Sequence, residues 1–278
     1  MSHSPFVAHN GFALPPQGFG TYNLRGERGA QSVRTAVELG YRLVDTAFNY
    51  ENEGAVGYGM VASDVDRAEL IVTTKLAGRH HEREKALVSV EESRRRLGLD
   101  VIDLVLIHWP NPAADRYVEA WAALVELRER GVVREIGVSN FLPEHLERIE
   151  AATGVRPVVN QIELHPYFPQ AEALAYHLER AIVTEACSPL GQGGDVLSEP
   201  PVVEAAAAHG IAPAQAVLAW HVARGSVAIP KASSAEHQGA NLAAVTVELS
   251  DAEVEAITAL GRADGRLFGA DPSAHEEM

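Results

Sequence analysis

The 278 residues are 46% hydrophobic, carry a formal charge of −15 and have a mean hydropathy near zero, as expected for one large domain or two small ones. Such a negative balance excludes a nucleic-acid partner, which needs Lys and Arg on phosphate. No apolar run nears the roughly 18 residues of a membrane span, and residues 1–5 show no basic segment leading into an apolar one. The single cysteine, Cys187, rules out an internal disulfide and fits a reducing compartment, so a cytoplasmic monomer without nucleic-acid or membrane partners is expected.

From the N-terminus, Phe6-Val7-Ala8 and Phe12-Ala13-Leu14 flank Asn10-Gly11, a hairpin pattern that needs a positive φ at its turn. Strand candidates come next at Gly18–Thr21, Tyr41–Val44, Leu70–Thr74, Ile102–Ile107, Val132–Val138, Val158–Gln161, Ile182–Glu185 and Ser226–Ile229. Continuous Val, Ile and Leu in most of them indicate strands buried on both faces, as in a parallel sheet. Helical stretches are predicted over Arg28–Leu39, Arg83–Leu97, Tyr117–Arg130, Leu142–Ala151, Ala171–Glu179 and Pro200–His209, with Gly40, Gly98, Gly131 and Gly210 at their ends. About eight strand–helix units without a compositional linker predict one (β/α)₈ TIM barrel over residues 1–278. A doubly wound sheet is the competing fold, but it calls for a glycine fingerprint after the first strand, and none is present.

The residues just past each strand carry the chemistry. Val44 is followed by Asp45, "LIVTT" by Lys75, "VIDLVLI" by His108, "EIGV" by Ser139 and Asn140, "VVN" by Gln161 and "VAIP" by Lys231. In such a barrel all strand C-termini meet at one mouth. One polar residue at a strand end is ordinary; Asp45, Lys75 and His108, with Tyr50 just beyond Asp45, are a constellation. Only three lysines occur, at 75, 85 and 231, which makes the placement of two of them at strand ends more telling. A phenol with its ordinary pKa of about 10 donates poorly at neutral pH. A neighbouring ammonium favours phenolate and lowers that value, and a carboxylate can hold the ammonium. The expected roles are therefore Asp45 anchoring Lys75, Lys75 tuning Tyr50, Tyr50 donating a proton, and a neutral His108 orienting a carbonyl.

These motifs resemble the aldo-keto reductase family, nearest its bacterial 2,5-diketo-D-gluconate reductase subgroup. The resemblance rests on "GYRLVDTAFNYENEGAVG" (Gly40–Gly57), "TTKL" (Thr73–Leu76), "IHWP" (Ile107–Pro110), "REIGVSNF" (Arg134–Phe141), "VNQIELHP" (Val159–Pro166) and "SPLGQG" (Ser188–Gly193). It implies a (β/α)₈ TIM barrel with the N-terminal hairpin closing the barrel bottom, and reduction of aldehydes or ketones, diketo sugar acids and other small dicarbonyls among them, by the tetrad Asp45, Tyr50, Lys75 and His108, with NAD(P)H and no metal. It also implies a nicotinamide held by Ser139, Asn140 and Gln161, with Gly20, Thr21, Tyr22 and Asp45 beside it. Ser188, Leu190, Gly191 and Gln192 correspond to the pyrophosphate loop. Lys231, Ala232, Ser233, His237 and Asn241 fall in the adenosine-phosphate segment.

Three positions depart from the family pattern. Cys187 stands where an aromatic ring usually stacks on the nicotinamide, and a thiol offers no such face. No basic residue adjoins it in sequence, which argues against a nucleophile. Ala232 and His237 replace a hydroxyl residue and an arginine, which weakens the grip on a 2′-phosphate and implies that NADH is accepted beside NADPH; protonation of His237 would tilt the balance to NADPH at lower pH. Ala77 replaces a common tryptophan, so the substrate pocket, walled by Phe48, Trp109 and Phe168 around Tyr50 and His108, is expected to be wide. The tail "RLFGADPSAHEEM" is similar to the segment covering that pocket in the family.

Other classes fit less well. A metal-dependent hydrolase wants His-x-His on an early strand, whereas His80-His81 are adjacent. A serine hydrolase wants Gly-x-Ser-x-Gly, which is absent. The main alternative is a non-catalytic dinucleotide-binding barrel.

Overall fold

The protein is described by a computed structural model covering residues 4–277; residues 1–3, part of the stretch read for a leader, and Met278 lie outside the described residues. Two short antiparallel strands, β1 (Phe6–Val7) and β2 (Ala13–Leu14), pair Phe6 with Leu14, and Gly11 at the turn has φ 89°. Then come β3 (Phe19–Gly20), α1 (Gly26–Leu39), β4 (Leu43–Asp45), α2 (Glu53–Val61), β5 (Ile71–Leu76), α3 (Arg83–Arg96), β6 (Ile102–Ile107) and α4 (Tyr117–Glu129). The second half continues with β7 (Val133–Ser139), α5 (Pro143–Thr153), β8 (Val159–Glu163), α6 (Ala171–Glu179), β9 (Val183–Cys187), α7 (Pro200–His209), α8 (Pro213–Ala223), β10 (Ser226–Ala228), α9 (Ala235–Ala243) and α10 (Asp251–Thr258).

Strands β3 to β10 form one parallel sheet in sequence order. Its two edges meet: Gln17 bridges Ala228, Gly18 N donates to Ala228 O at 2.9 Å, and Gly20 N donates to Pro230 O at 3.0 Å. The sheet is thus a closed (β/α)₈ barrel, and closure removes the exposed strand edges. Inside it, Leu43, Leu104, Leu106, Val159, Val183 and Val227 pack into one cluster with Ala8, Phe12 and Leu14 of the hairpin. The hairpin is therefore the floor, as the family resemblance implies.

Outside the sheet a second cluster joins the apolar stripes of α1 to α5 to the outward faces of β3 to β7, with Trp121 and Tyr41 among the largest buried side chains. The four glycines predicted at helix ends all have positive φ, 118° at Gly40 and 64–73° at Gly98, Gly131 and Gly210. Helices α2, α8, α9 and α10 are additions to the elements predicted from sequence. No single helix among the described residues is long and apolar enough to cross a membrane.

Candidate active site

The register of the barrel sets the site. Gly20 pairs with Asp45, Asp45 with Thr73, Lys75 with Leu106, and Ser139 with Gln161, so the C-terminal ends of the strands share one rim. Beneath it, Lys75 Nζ donates to Asp45 Oδ1 at 2.6 Å, to Oδ2 at 2.8 Å and to the Thr46 carbonyl at 3.1 Å. Both ionic side chains are almost wholly buried, at 0% and 4% exposure. Burial pushes the ammonium's pKa down, but Asp45 and then Tyr50 more than restore it, so the net direction is upward and Lys75 stays charged.

Tyr50 stands on a short 3₁₀ turn, Phe48–Tyr50, and its ring centroid lies 5.1 Å from Lys75 Nζ and 6.0 Å from the His108 ring. Acid, amine, phenol and imidazole therefore converge. The tuning of the phenol differs from the sequence expectation. Lys75 does favour the phenolate, but burial is the larger effect, and it pushes Tyr50 up to about 12. An ammonium already matched by a buried carboxylate has less charge left to offer.

A cavity of about 720 Å³, within the range of small-molecule sites, opens above this group. Tyr50, His108 and Trp109 line it, as do Gly20, Thr21, Tyr22 and Asp45. Ser139, Asn140 and Gln161 share the lining with Cys187, Ser188, Leu190, Gln192 and Lys231. Ser139 Oγ donates to the Gln161 carbonyl at 2.8 Å and accepts from Asn140 Nδ2 at 3.0 Å. Burial pushes the Cys187 thiol up to about 12, which leaves it a poor nucleophile.

Other predicted residues lie off the cavity. Ala77 is fully buried and is not among the residues lining it. The Phe48 ring sits between the guanidinium groups of Arg79 and Arg96, 4.9 and 4.8 Å away, and borders a neighbouring cavity of about 630 Å³. Phe168 lies under Arg266, at 4.6 Å. Gly191 bends the loop behind Gln192 at φ 57°. Ala232 is buried, its carbonyl accepting from Gln238 Nε2 at 3.1 Å, and Asn241 is buried on α9. Ser233 and His237 are exposed at the start of α9, where Ser234 Oγ caps the helix by accepting from His237 N at 3.2 Å.

Two acids at the site are absent from the residues predicted by sequence. Glu185, fully buried on β9, accepts from Gln161 Nε2 at 2.8 Å, while the other donor of that amide goes to Asp45 Oδ2 at 2.9 Å. Burial, with the Asp45 charge second, pushes Glu185 from its ordinary 4.5 up to about 7. A charge inside the apolar run "IVTEAC" is the same signal that marks Asp45, and it could have revealed Glu185. Glu163, at the end of β8, accepts from Leu267 N at 2.6 Å and ties the C-terminal segment to the mouth.

Glu185 yields a stability prediction. The folded form keeps its proton up to about pH 7, while the unfolded carboxyl releases it near 4.5, so stability falls as pH rises between these values and levels off above. At about 1.4 kcal/mol per pKa unit the cost above pH 7 is about 3 kcal/mol. Glu185→Gln can still offer an oxygen to Gln161 and should be more stable than the parent at pH 8, with little difference at pH 4.5. Equal urea midpoints at pH 8 would refute the assignment.

A parallel barrel with an amine, acid, phenol and imidazole at its open end defines a class. The sequence profile of the Aldo/keto reductase family matches residues 18–199 and 196–262, and the chain belongs to that family and to its oxidoreductases. It is 48% identical to 2,5-diketo-D-gluconic acid reductase B of Corynebacterium sp. (strain SHS752001) over the full length of both chains. With morphine 6-dehydrogenase of Pseudomonas putida it shares 41% identity over 97% of this chain and 95% of that one. Among solved structures, a mutant of Gox0644 in complex with NADPH matches with a TM-score of 0.93 and 43% identity over 99% of both chains.

Proposed function

We propose that the protein reduces aldehydes and ketones, small dicarbonyls among them, with NADPH in the cavity above Lys75 and with Tyr50 as the proton donor. The observation that carries this reading is the Asp45–Lys75 pair at 2.6 Å beneath a tyrosine at the mouth of the barrel. Bound there, the reduced nicotinamide supplies a hydride. The residues present fit that group: both donors of the Gln161 amide are taken by carboxyl oxygens of Asp45 and Glu185, so its oxygen is left to accept from a carboxamide, and Asn140 stands beside it. At the far end Lys231, exposed serines at 233 and 234 and the N-terminus of α9 suit a phosphate. Without a guanidinium at position 237, discrimination against NADH is expected to be modest.

A tyrosine of pKa about 12 remains a usable acid for this purpose. The oxygen created from a carbonyl is about as basic as hydroxide, whose conjugate acid has a pKa of about 15.7, so the proton moves downhill from phenol to product. Tyr50 is then loaded with its proton throughout the physiological range. In the reverse direction the phenolate is needed, and its fraction grows about tenfold per pH unit below the pKa. Alcohol oxidation should therefore climb steeply from pH 7 to pH 10 while reduction stays comparatively flat. An oxidation rate that ignores pH over that interval would rule out Tyr50 as the titrating acid.

Nicotinamide absorbance, recorded with a panel of aldehydes, diketones and keto sugars and with both cofactors, tests the activity directly. Turnover of none of them would overturn the reading in favour of a dinucleotide-binding barrel without chemistry. The lone cysteine and the acidic surface support a monomer in the reducing cytoplasm; sedimentation would establish the oligomeric state.

A further inference from the structure

Between β10 and α9 the chain runs through Lys231, Ala232, Ser233 and Ser234 without a helix or strand of its own. Lys231, Ser233 and Ser234 are exposed, and Ala232 is the one buried residue of the four. What holds Ala232 down is Gln238, wholly buried on α9. Its Nε2 lies 3.1 Å from the Ala232 carbonyl, 3.1 Å from the Ser32 carbonyl and 2.9 Å from Ser32 Oγ on α1. Ser32 Oγ adds a longer bond to the same Ala232 carbonyl, at 3.4 Å.

Two of these partners are carbonyls, which only accept, so the amide has to turn its nitrogen to them. The amide oxygen is buried as well and has no partner among the described residues. A methionine would fill the same space without that unpaired oxygen, so a glutamine is a poor choice for packing alone. What it supplies and methionine lacks is a donor for the Ala232 carbonyl. The anchorage continues inward: Tyr41 OH donates to the Gln238 backbone carbonyl at 3.1 Å and accepts from Gln17 Nε2 at 3.2 Å, and Gln17 bridges Ala228 where the barrel closes. One buried network thus ties the loop to α1, to α9 and to the seam of the sheet.

We propose that Gln238 is a positioning residue for cofactor choice: by holding the Ala232 carbonyl it keeps Lys231, Ser233 and the N-terminus of α9 in the arrangement that receives the 2′-phosphate, and so sets the preference for NADPH over NADH. It touches no cofactor atom itself. Held in advance, the ammonium, the hydroxyls and the backbone N–H groups meet a doubly charged group without first having to order the loop, and ordering a loop on binding lowers affinity. With His237 in place of an arginine, no guanidinium fork stands there to make up for a loosened loop. NADH offers only a hydroxyl at the same point and draws less from these groups. A loop in its receiving shape for about a tenth of the time binds about tenfold more weakly. This inference rests on the NADPH-dependent reading and on its assignment of residues 231–241 to the adenosine end.

Dissociation constants for NADPH and NADH, measured by calorimetry on the intact protein, test it. Gln238→Met is expected to weaken NADPH binding about tenfold and NADH binding less than about twofold, with kcat at saturating NADPH unchanged. Tyr41→Phe disturbs the same buried network but leaves the amide on Ala232, so it should keep the parent's ratio of the two affinities. An unchanged ratio in Gln238→Met, or an equal shift in Tyr41→Phe, would overturn the proposal and leave Gln238 to the packing of α9. If Gln238→Met fails to fold, Ser32→Ala decides in its place, since it removes one anchor of the amide and the longer bond to Ala232. A selective weakening of NADPH by about threefold or more then upholds the proposal, and an unchanged ratio sinks it. A parent that binds NADPH and reduces carbonyls while the variants keep its ratio loses the role of Gln238 alone; a parent that binds no dinucleotide loses the function with it.

Discussion

Tyr50→Phe should lower the rate of carbonyl reduction on the order of 10² to 10⁴-fold, the usual worth of a positioned general acid, while NADPH binding stays within a few-fold of the parent. The substitution removes one oxygen and keeps the ring that packs edge-on to Tyr22 at 5.1 Å and to His108 at 6.0 Å, so the fold and the cavity wall persist. Most of the binding surface assigned to the dinucleotide lies on other strands, at Ser139, Asn140, Gln161 and beyond Cys187, and the ring kept at position 50 preserves the contact with Tyr22. Cofactor affinity by calorimetry and turnover by absorbance separate the two effects. Loss of both would mean that the ring change had disturbed the site, and retention of turnover within tenfold would remove Tyr50 from the chemistry. A barrel that binds the cofactor and never turns over, in parent and variant alike, would point to the non-catalytic alternative.

Asp45→Ala should cost about 3–5 kcal/mol of stability, the typical penalty for leaving one member of a buried ion pair without its partner. Lys75 has 0% of its side chain exposed, and with Asp45 gone its ammonium keeps the Thr46 carbonyl at 3.1 Å and the Tyr50 hydroxyl, neither of them a charge, as partners. Glu185, which also favours the charged Lys75, is the remaining acid nearby and limits the loss. In a chain of this size the change corresponds to a fall in melting temperature of about 10 °C. Replacing Lys75 by Met in the same molecule should recover most of the stability and none of the activity, because both charges then leave the interior together. A single Asp45→Ala variant that melts with the parent would show that the pair contributes nothing to the fold.

The barrel is legible because its strands are short apolar runs each stopped by one polar residue. β6 is legible to the residue at Ile102–Ile107, and β5 and β7 within two residues at each end. The helices that escape a reading of the chain do so for separate reasons. In α2, Gly54, Gly57 and Gly59 depress helix propensity, yet two of them are needed: a Cβ at Gly57 would lie 2.3 Å from Leu97 O, and one at Gly59 2.4 Å from Ala30 O. α8 is buried over most of its surface and so lacks a polar stripe to betray its period. α10 does announce itself, through the capping box of Ser250 and Glu253.

At the site, the convergence of Asp45, Tyr50, Lys75 and His108 is readable from strand ends, since the barrel gathers them without further information. Burial is not readable in the same way. Spacing reveals that Lys75 pulls on Tyr50, but the opposing effect of a dry surrounding depends on the packing of the whole mouth. Glu277 is invisible for a related reason. In sequence it is one more acid in a polar tail, and only the folded chain brings its Oε1 to 2.6 Å from His108 Nδ1. Phe48 shows the converse, an aromatic residue near the tetrad whose ring is claimed by Arg79 and Arg96 on the far side of the loop.

The hairpin under the barrel has a kinetic corollary. With Phe12 and Leu14 plugging the lower end, traffic to the reaction centre passes through a single doorway. Whichever guest settles against Gln161, deep in that passage, has to come in first and go out last. Turnover should therefore obey a compulsory order of arrival, dinucleotide before carbonyl, with departure of the spent dinucleotide as the step that clears the passage for the next round.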